Sequence, residues 1–252
     1  MPDQEPSRAY HLGLAPGEVA PLVLLPGDPF RTERIAARLE GAREIAFSRE
    51  FRTFTGLAGG NPVSAVSSGI GGPSVAIAVE ELAPLGVRTI VRVGTCGALQ
   101  PGIEVGDLVI ATAAVRSEGT PDGYVPRAFP AVADREVVSA LVEAARADGV
   151  AHHVGIVRSV DGLYPEIAPG LMPLRESLAE ELQTWKRAGV LGSDMESATL
   201  FIVSHLRGIR AGTILLCVDD VESGAIQHLD PSLMDRLIAV AVDAAPRLTE
   251  GT

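Results

Sequence analysis

One charged side chain interrupts an apolar run in this chain. Arg92 lies in TIVRVGT (89–95), three residues before the run ends, where a charge without a partner is costly. It has two readings. One is a structural ion pair with one of the chain's many carboxylates; the other is an anion clamp shared with Arg31, because a guanidinium grips phosphate in a bidentate fork. A second candidate cluster is SDMESATLF (193–201), which sets Asp194 and Glu196 on either side of Met195 just ahead of an apolar run. Carboxylates there cap a helix and meet its dipole, or they accept hydrogen bonds from a ligand. His152, His153, His205 and His228 are read as structural.

These groups need elements to position them. PLVLLPG (21–27), PVSAVSSG (62–69), RTIVRVGT (88–95), GDLVIATAAV (106–115), HVGIVRSV (153–160) and AGTILLCV (211–218) are short, largely apolar runs ending near Gly, Ser, Thr or Asp. Strands buried on both faces read this way. Segments 31–40, 74–86, 134–149, 176–189, 195–208 and 231–248 alternate with them, with helical spacing and Gly stops. The alternation predicts an α/β fold, a single-domain three-layer α/β/α arrangement over residues 1–252 with a mostly parallel, mixed central sheet. Segment 161–174, rich in Pro and Gly, is expected to be a long irregular loop, either a lid or a plain surface connection. Ligands of open α/β sheets bind at strand carboxyl ends. Three such ends carry glycines that suit phosphate: Gly27, Ser67 to Gly72, and Gly94 to Gly97.

Composition narrows the partners. The 252 residues carry 21 basic and 32 acidic side chains, a formal charge of −11, with pI near 4.9. Such a surface repels nucleic acid and anionic membranes, so an anionic ligand must be held by local arginines. Cys96 and Cys217 lie in apolar runs without metal-ligand spacing, which predicts buried, reduced thiols. No stretch of 18 uncharged apolar residues occurs, and the N-terminal residues lack the pattern of a signal peptide; the expectation is a cytoplasmic protein.

Together VLLPGDPFRTERIA, SRE (48–50), SSGIGGPSVAIAVEELAPLGVRTIVRVGTCGALQPGIEVGDLVIATAAVR and SDMESATLF resemble the nucleoside phosphorylase family that includes uridine phosphorylase and the hexameric bacterial purine nucleoside phosphorylases. The similarity runs from His11 to the last helix and is closest to uridine phosphorylase over about 66–147, where FPAVAD (129–134) also fits. The resemblance implies a pentosyltransferase of nucleoside salvage, with nucleoside and inorganic phosphate as its small-molecule partners. It needs no metal for the chemistry. Phosphate-binding positions match Gly27, Arg31, Arg92 and Thr95, with Arg49 supplied by a neighbouring subunit. Met195 would pack on the ribose and Glu196 would accept its 2′ and 3′ hydroxyls. His11 matches a histidine that reaches the sugar of the adjacent subunit. Glu50, Ile70 and Ser74 match positions that hold a monovalent cation, potassium being the candidate, between subunits. Shared sites imply a homo-oligomer, and relatives are commonly hexamers built as trimers of dimers.

The base side leaves alternatives. Relatives read uracil through a Gln-x-Arg element after a Phe-Tyr-Pro turn, whereas this chain has Leu163, Tyr164 and Pro165 followed by EIAPGLM. Leu163, Val218 and Asp219 are the candidate base contacts. By its likeness to purine nucleoside phosphorylases Asp219 is a general acid toward the purine ring, with Asp220 in its place if the register slips; otherwise both aspartates belong to a turn. Three functions stand open: a uridine phosphorylase-like enzyme, a purine nucleoside phosphorylase using Asp219, and a nucleoside- or base-binding protein without turnover.

Overall fold

A computed structural model of the chain describes residues 8–221 and 230–249, with only the backbone of Asp220. The sheet contains β1 (Leu22–Leu25), β2 (Glu40–Ser48), β3 (Phe51–Ala58), β4 (Asn61–Val66), β5 (Thr89–Ala98), β6 (Leu108–Ser117), β7 (Ala131–Val132), β8 (His152–Val160), β9 (Gly192–Asp194) and β10 (Arg210–Asp220). The helices are α1 (Pro29–Ala36), α2 (Gly72–Leu82), α3 (Arg135–Ala147), α4 (Leu163–Ile167), α5 (Arg175–Arg187), α6 (Ser197–Leu206), α7 (Pro231–Asp243) and α8 (Ala245–Thr249).

The strand order is β10-β6-β8-β9-β5-β1-β4-β3-β2, with β7 beside β6. Because β10 also pairs with β5, strands β5, β9, β8, β6 and β10 close into a ring, while β1, β4, β3 and β2 extend outward from β5. The central strands β4, β1, β5 and β10 are parallel to one another. Antiparallel pairings, β2 with β3, β3 with β4, β5 with β9 and β10 with β6, make the sheet mixed.

Alternation along the strands divides the core into two layers. Val23, Leu25, Ile90 and Leu215 face α2 and α6, while Leu22, Leu24, Val91, Val93, Ile214 and Leu216 face α1, α3 and α7. Helices therefore cover both faces, as the βα alternation requires. Helix α6 is buried all round, from Ser197 to Ser204. Its fully covered Leu200, Phe201 and Ile202 contribute about 1.5–3 kcal/mol each relative to exposure. That burial fixes the start of α6, where Glu196 precedes the first turn and Asp194 ends β9.

The boundaries differ from expectation in specific places. The helix expected over 31–40 begins earlier, where Asp28 caps the amide of Phe30 and Pro29 takes the first turn. It stops at Ala36, and Leu39, buried against the core, continues the apolar spacing without continuing the helix. Strands β2 and β3 go unseen in the apolar runs because β2 is half exposed along its length, as antiparallel edge strands can be. Segment 161–174 contains α4 and a 3-10 turn, Pro169–Leu171. The last helix breaks after Asp243.

One buried carboxyl supports α6 from below. Glu118 is 1% exposed, accepts Thr199 Oγ1 at 3.0 Å, and its other oxygen has no hydrogen-bond partner. Burial raises its pKa from 4.5 to about 7. A raised folded-state pKa gives stability present in full below about 4.5 and lost as pH rises through about 7. Relative to Glu118→Gln, the wild type will therefore lose on the order of 2 kcal/mol between pH 5 and pH 8. Denaturant melts at both pH values check this, and parallel curves for the two proteins would refute it.

Candidate active site

The carboxyl ends of β1, β5 and β10, with the turns into α1, α4 and α6, enclose a cavity of about 670 Å³. Gly27, Arg31, Arg92 and Thr95 form its cationic part, and Met195 and Glu196 stand beside them. Val160, Leu163, Ile167, Val218 and Val221 are its apolar lining, with Glu166 lying between Leu163 and Ile167 on α4 and Asp219 following Val218. Eleven of the residues assigned phosphate, sugar, base or cation roles on sequence grounds, among them Glu50 and Ile70, thus line one cavity, and Asp194 lines it too.

Arg92 makes the structural ion pair that its position suggested. Its Nε donates to Asp194 Oδ2 at 3.0 Å and its Nη2 pairs with Glu196 Oε2, yet it still lines the cavity. Burial works against the guanidinium, but Glu196 and Asp194 more than offset it and raise its pKa, so Arg92 stays charged. Gly94 makes this fold-back possible: a Cβ there would lie 2.8 Å from the Arg92 guanidinium carbon.

Asp194 and Glu196 have different tasks. Asp194 is fully committed, accepting Ser159 Oγ at 2.6 Å, Ser197 Oγ at 2.6 Å and the Ser197 amide at 3.1 Å besides Arg92. It caps α6 and anchors Arg92, with its side chain wholly covered. Glu196 accepts the amides of Gly71 at 2.8 Å and Met195 at 3.2 Å and faces the cavity. Burial raises its carboxyl above the usual range; Arg92 opposes that rise and Asp194 adds to it.

Arg31 provides the contrast. Its Nη1 donates to the carbonyl of Val93 at 3.0 Å, and among the described residues no carboxylate forms an ion pair with it. Burial and the nearby Arg92 lower its pKa to about 10, so the group is still cationic at neutral pH. A covered cation beside a like charge, open to a cavity, is a place for an anion.

Asp219 is aimed by a bulge. Between Cys217 and Asp219 the β5–β10 register shifts by one residue, a device that redirects side chains beside sites. Val218 is the extra residue. The Asp219 carboxylate then reaches across β5 so closely that a Cβ on Gly97 would lie 2.5 Å from its Oδ1. The Asp220 side chain lies outside the described residues. Cys96 also lines the cavity, but burial pushes its thiol well up, and both cysteines are free and buried.

Three singled-out residues stand outside the lining of this cavity. His11 is tied to Glu81 through Nδ1 at 2.6 Å and through its amide. Arg49 is exposed on the β2–β3 turn with φ +56°, a left-handed backbone uncommon for a non-glycine residue. Ser74 donates to Glu50 Oε1 at 3.2 Å, and Ile70 beside them is 76% exposed. Among the described residues no group of three His, Cys, Asp or Glu side chains is placed to hold a metal. His153 pairs with Asp107 and His205 packs on Phe129, away from the cavity. Ser159 and Ser197 escaped notice because a hydroxyl that supports a carboxylate leaves no pattern in sequence.

Comparison with known proteins agrees with this geometry. Residues 21–252 match the model of the Phosphorylase superfamily. The chain belongs to that superfamily. It is 51% identical to uridine phosphorylase of Thermococcus kodakarensis over 84% of this chain and 78% of that one. It is also 40% identical to guanosine phosphorylase of Halorubrum lacusprofundi, over 81% and 80% of the two chains. The crystal structure of Vibrio fischeri ES114 uridine phosphorylase complexed with 6-hydroxy-1-naphthoic acid superposes with a TM-score of 0.85 at 32% identity, covering 95% of this chain and 97% of that one. In sequence and fold this member of the superfamily is a uridine phosphorylase-like nucleoside phosphorylase, and that class is one of pentosyltransferases. No helix among the described residues is long and apolar enough to cross a membrane.

Proposed function

We propose that the protein cleaves a ribonucleoside with inorganic phosphate, uridine first among its substrates, to give the free base and ribose 1-phosphate. The observation that carries this reading is the adjacency of Arg31, a cation that forms no ion pair with a carboxylate among the described residues, to the Arg92–Glu196 pair. An anion can lie there next to an acceptor for a vicinal diol. Arg31, Arg92, Thr95 and the Gly27 backbone hold phosphate below the sugar, Glu196 accepts the 2′ and 3′ hydroxyls, and Met195 packs on the ring. A phosphate oxygen forms the new bond to C1′ as the bond from C1′ to the base nitrogen breaks, its electron pair leaving with the base. Positive charge building on C1′ is stabilised by the phosphate, so positioning and electrostatics carry the catalysis.

A second reading is favoured by the placement of Asp219 beside the apolar lining of the cavity. There it serves a purine nucleoside, protonating the ring nitrogen of the departing base. Asp219→Asn will then lower purine release about a hundredfold and uridine cleavage far less; equal small effects would leave Asp219 a structural residue of the bulge.

The active unit in this reading is at least a dimer, with a hexamer built as a trimer of dimers as the proposed assembly. Arg92 is already matched by two carboxylates, so a phosphate dianion needs more positive charge than Arg31 supplies. Arg49, exposed and aimed by its turn, offers that charge to a neighbour, and His11 reaches the neighbour's sugar. Glu50, Ser74 and the Ile70 backbone present oxygen donors, which fit a potassium ion shared between two subunits. The cation would hold the subunits together.

The test is base release from uridine, inosine, guanosine and adenosine with and without phosphate, followed by chromatography. Phosphate-dependent release of uracil supports the first reading and purine release alone the second. Binding without release would replace both with a nucleoside-binding protein.

A further inference from the structure

Once phosphate and ribose are assigned, the apolar part of the cavity remains for the base, and it holds an acceptor that none of those roles uses. Glu166, on α4, lines the cavity with its side chain 10% exposed. Arg158 Nη1 donates to both of its oxygens, at 3.1 and 2.9 Å. Arg158 is itself held in place: its Nε donates to Ser117 Oγ at 3.0 Å, its Nη2 donates to Glu181 at 2.8 Å, and its guanidinium lies 6.0 Å from the Trp185 ring centre. With its side chain 6% exposed, Arg158 holds Glu166 in one orientation through both carboxylate oxygens. A carboxylate oxygen takes two donors, so the contact with Arg158 leaves Glu166 able to accept one more from the cavity.

We propose that Glu166 reads the base, accepting the ring N–H that uracil presents at N3 and 6-oxopurines present at N1, while Arg158 positions it. This rests on the nucleoside phosphorylase reading. Beside the apolar lining residues stand the carboxylates of Glu166 and Asp219, both acceptors. A base whose corresponding ring nitrogen is itself an acceptor, as in cytosine and adenine, sets a lone pair against the carboxylate and is rejected. Guanine adds its 2-amino group as a second donor beside N1–H.

The experiment compares uridine with N3-methyluridine and cytidine, and guanosine with N1-methylguanosine, for phosphate-dependent cleavage by the unmodified protein and by Glu166→Gln. Binding of uracil and 3-methyluracil is measured alongside by calorimetry. Methylation is expected to lower kcat/KM at least about tenfold in the wild type. The glutamine variant, whose amide can donate, will narrow the preference for uridine over cytidine by a similar factor. Equal cleavage of methylated and parent nucleosides, with an unchanged base ranking in Glu166→Gln, would overturn the role of Glu166 and leave the phosphorylase reading intact. If no nucleoside is cleaved, the phosphorylase reading fails on its own. Tighter binding of uracil than of 3-methyluracil would still support Glu166 as the reader, and equal binding would overturn it.

Discussion

Arg92→Met will cost the protein both its turnover and about 3–5 kcal/mol of stability. Methionine keeps an unbranched stem but leaves Asp194 and Glu196, each 4% exposed, as two buried carboxylates without their cation. Breaking a buried pair from one side is far more damaging than replacing the whole pair, because an uncompensated charge stays behind. Asp194 retains its serine donors, so its share of the loss is smaller, while Glu196 keeps two backbone amides. The double variant Arg92→Met with Asp194→Asn should therefore lose less than the sum of the two single changes. Denaturant unfolding of the four proteins measures that coupling, and strict additivity would mean that the pair contributes nothing beyond its separate contacts. Turnover will fall about a thousandfold, since the same guanidinium lines the phosphate part of the cavity and fixes Glu196.

The pattern of loss explains what could be read in advance. Strands buried on both faces, such as Leu22–Leu25 and the first half of β10, declare themselves as apolar runs, and an arginine inside one of them declares a partner. That located β5, Arg92 and the strand ends without any contact being known. Strand β2 gave no such sign, because an exposed edge strand is specified by pairing with β3 rather than by its own apolar content. Asp194 was ambiguous for a different reason. Capping a helix and anchoring an arginine need the same residue type at the same place, and only the serines from β8 and α6 show that it does both. Glu166 lay unremarked in EIAPGLM because its function depends on Arg158, Glu181 and Trp185, which arrive from β8 and α5. Distant side chains that meet across elements leave no local spacing to detect.

Glu196→Gln will lower kcat/KM for ribonucleosides about a hundredfold while keeping the fold. The stability consequence is mild because Arg92 retains Asp194 and the amide oxygen can still accept one backbone N–H. The catalytic consequence is large because Gly71, Met195 and Arg92 leave Glu196 acceptor capacity toward the diol, and a hydrogen bond to a charged acceptor is worth about 1.5–3 kcal/mol. An amide offers one acceptor atom, and its NH₂ group must face either Gly71 at the Oε1 position or Arg92 and Met195 at the Oε2 position, donors in both cases. The distinguishing measurement is the ratio of kcat/KM for uridine to that for 2′-deoxyuridine. In the wild type, removing the 2′ hydroxyl removes a hydrogen bond to the charged carboxylate and should cost about tenfold. In Glu196→Gln that preference should shrink toward unity, because the partner that rewarded the 2′ hydroxyl has gone. A ratio left at its wild-type value would place the diol elsewhere and assign Glu196 to holding Arg92 alone.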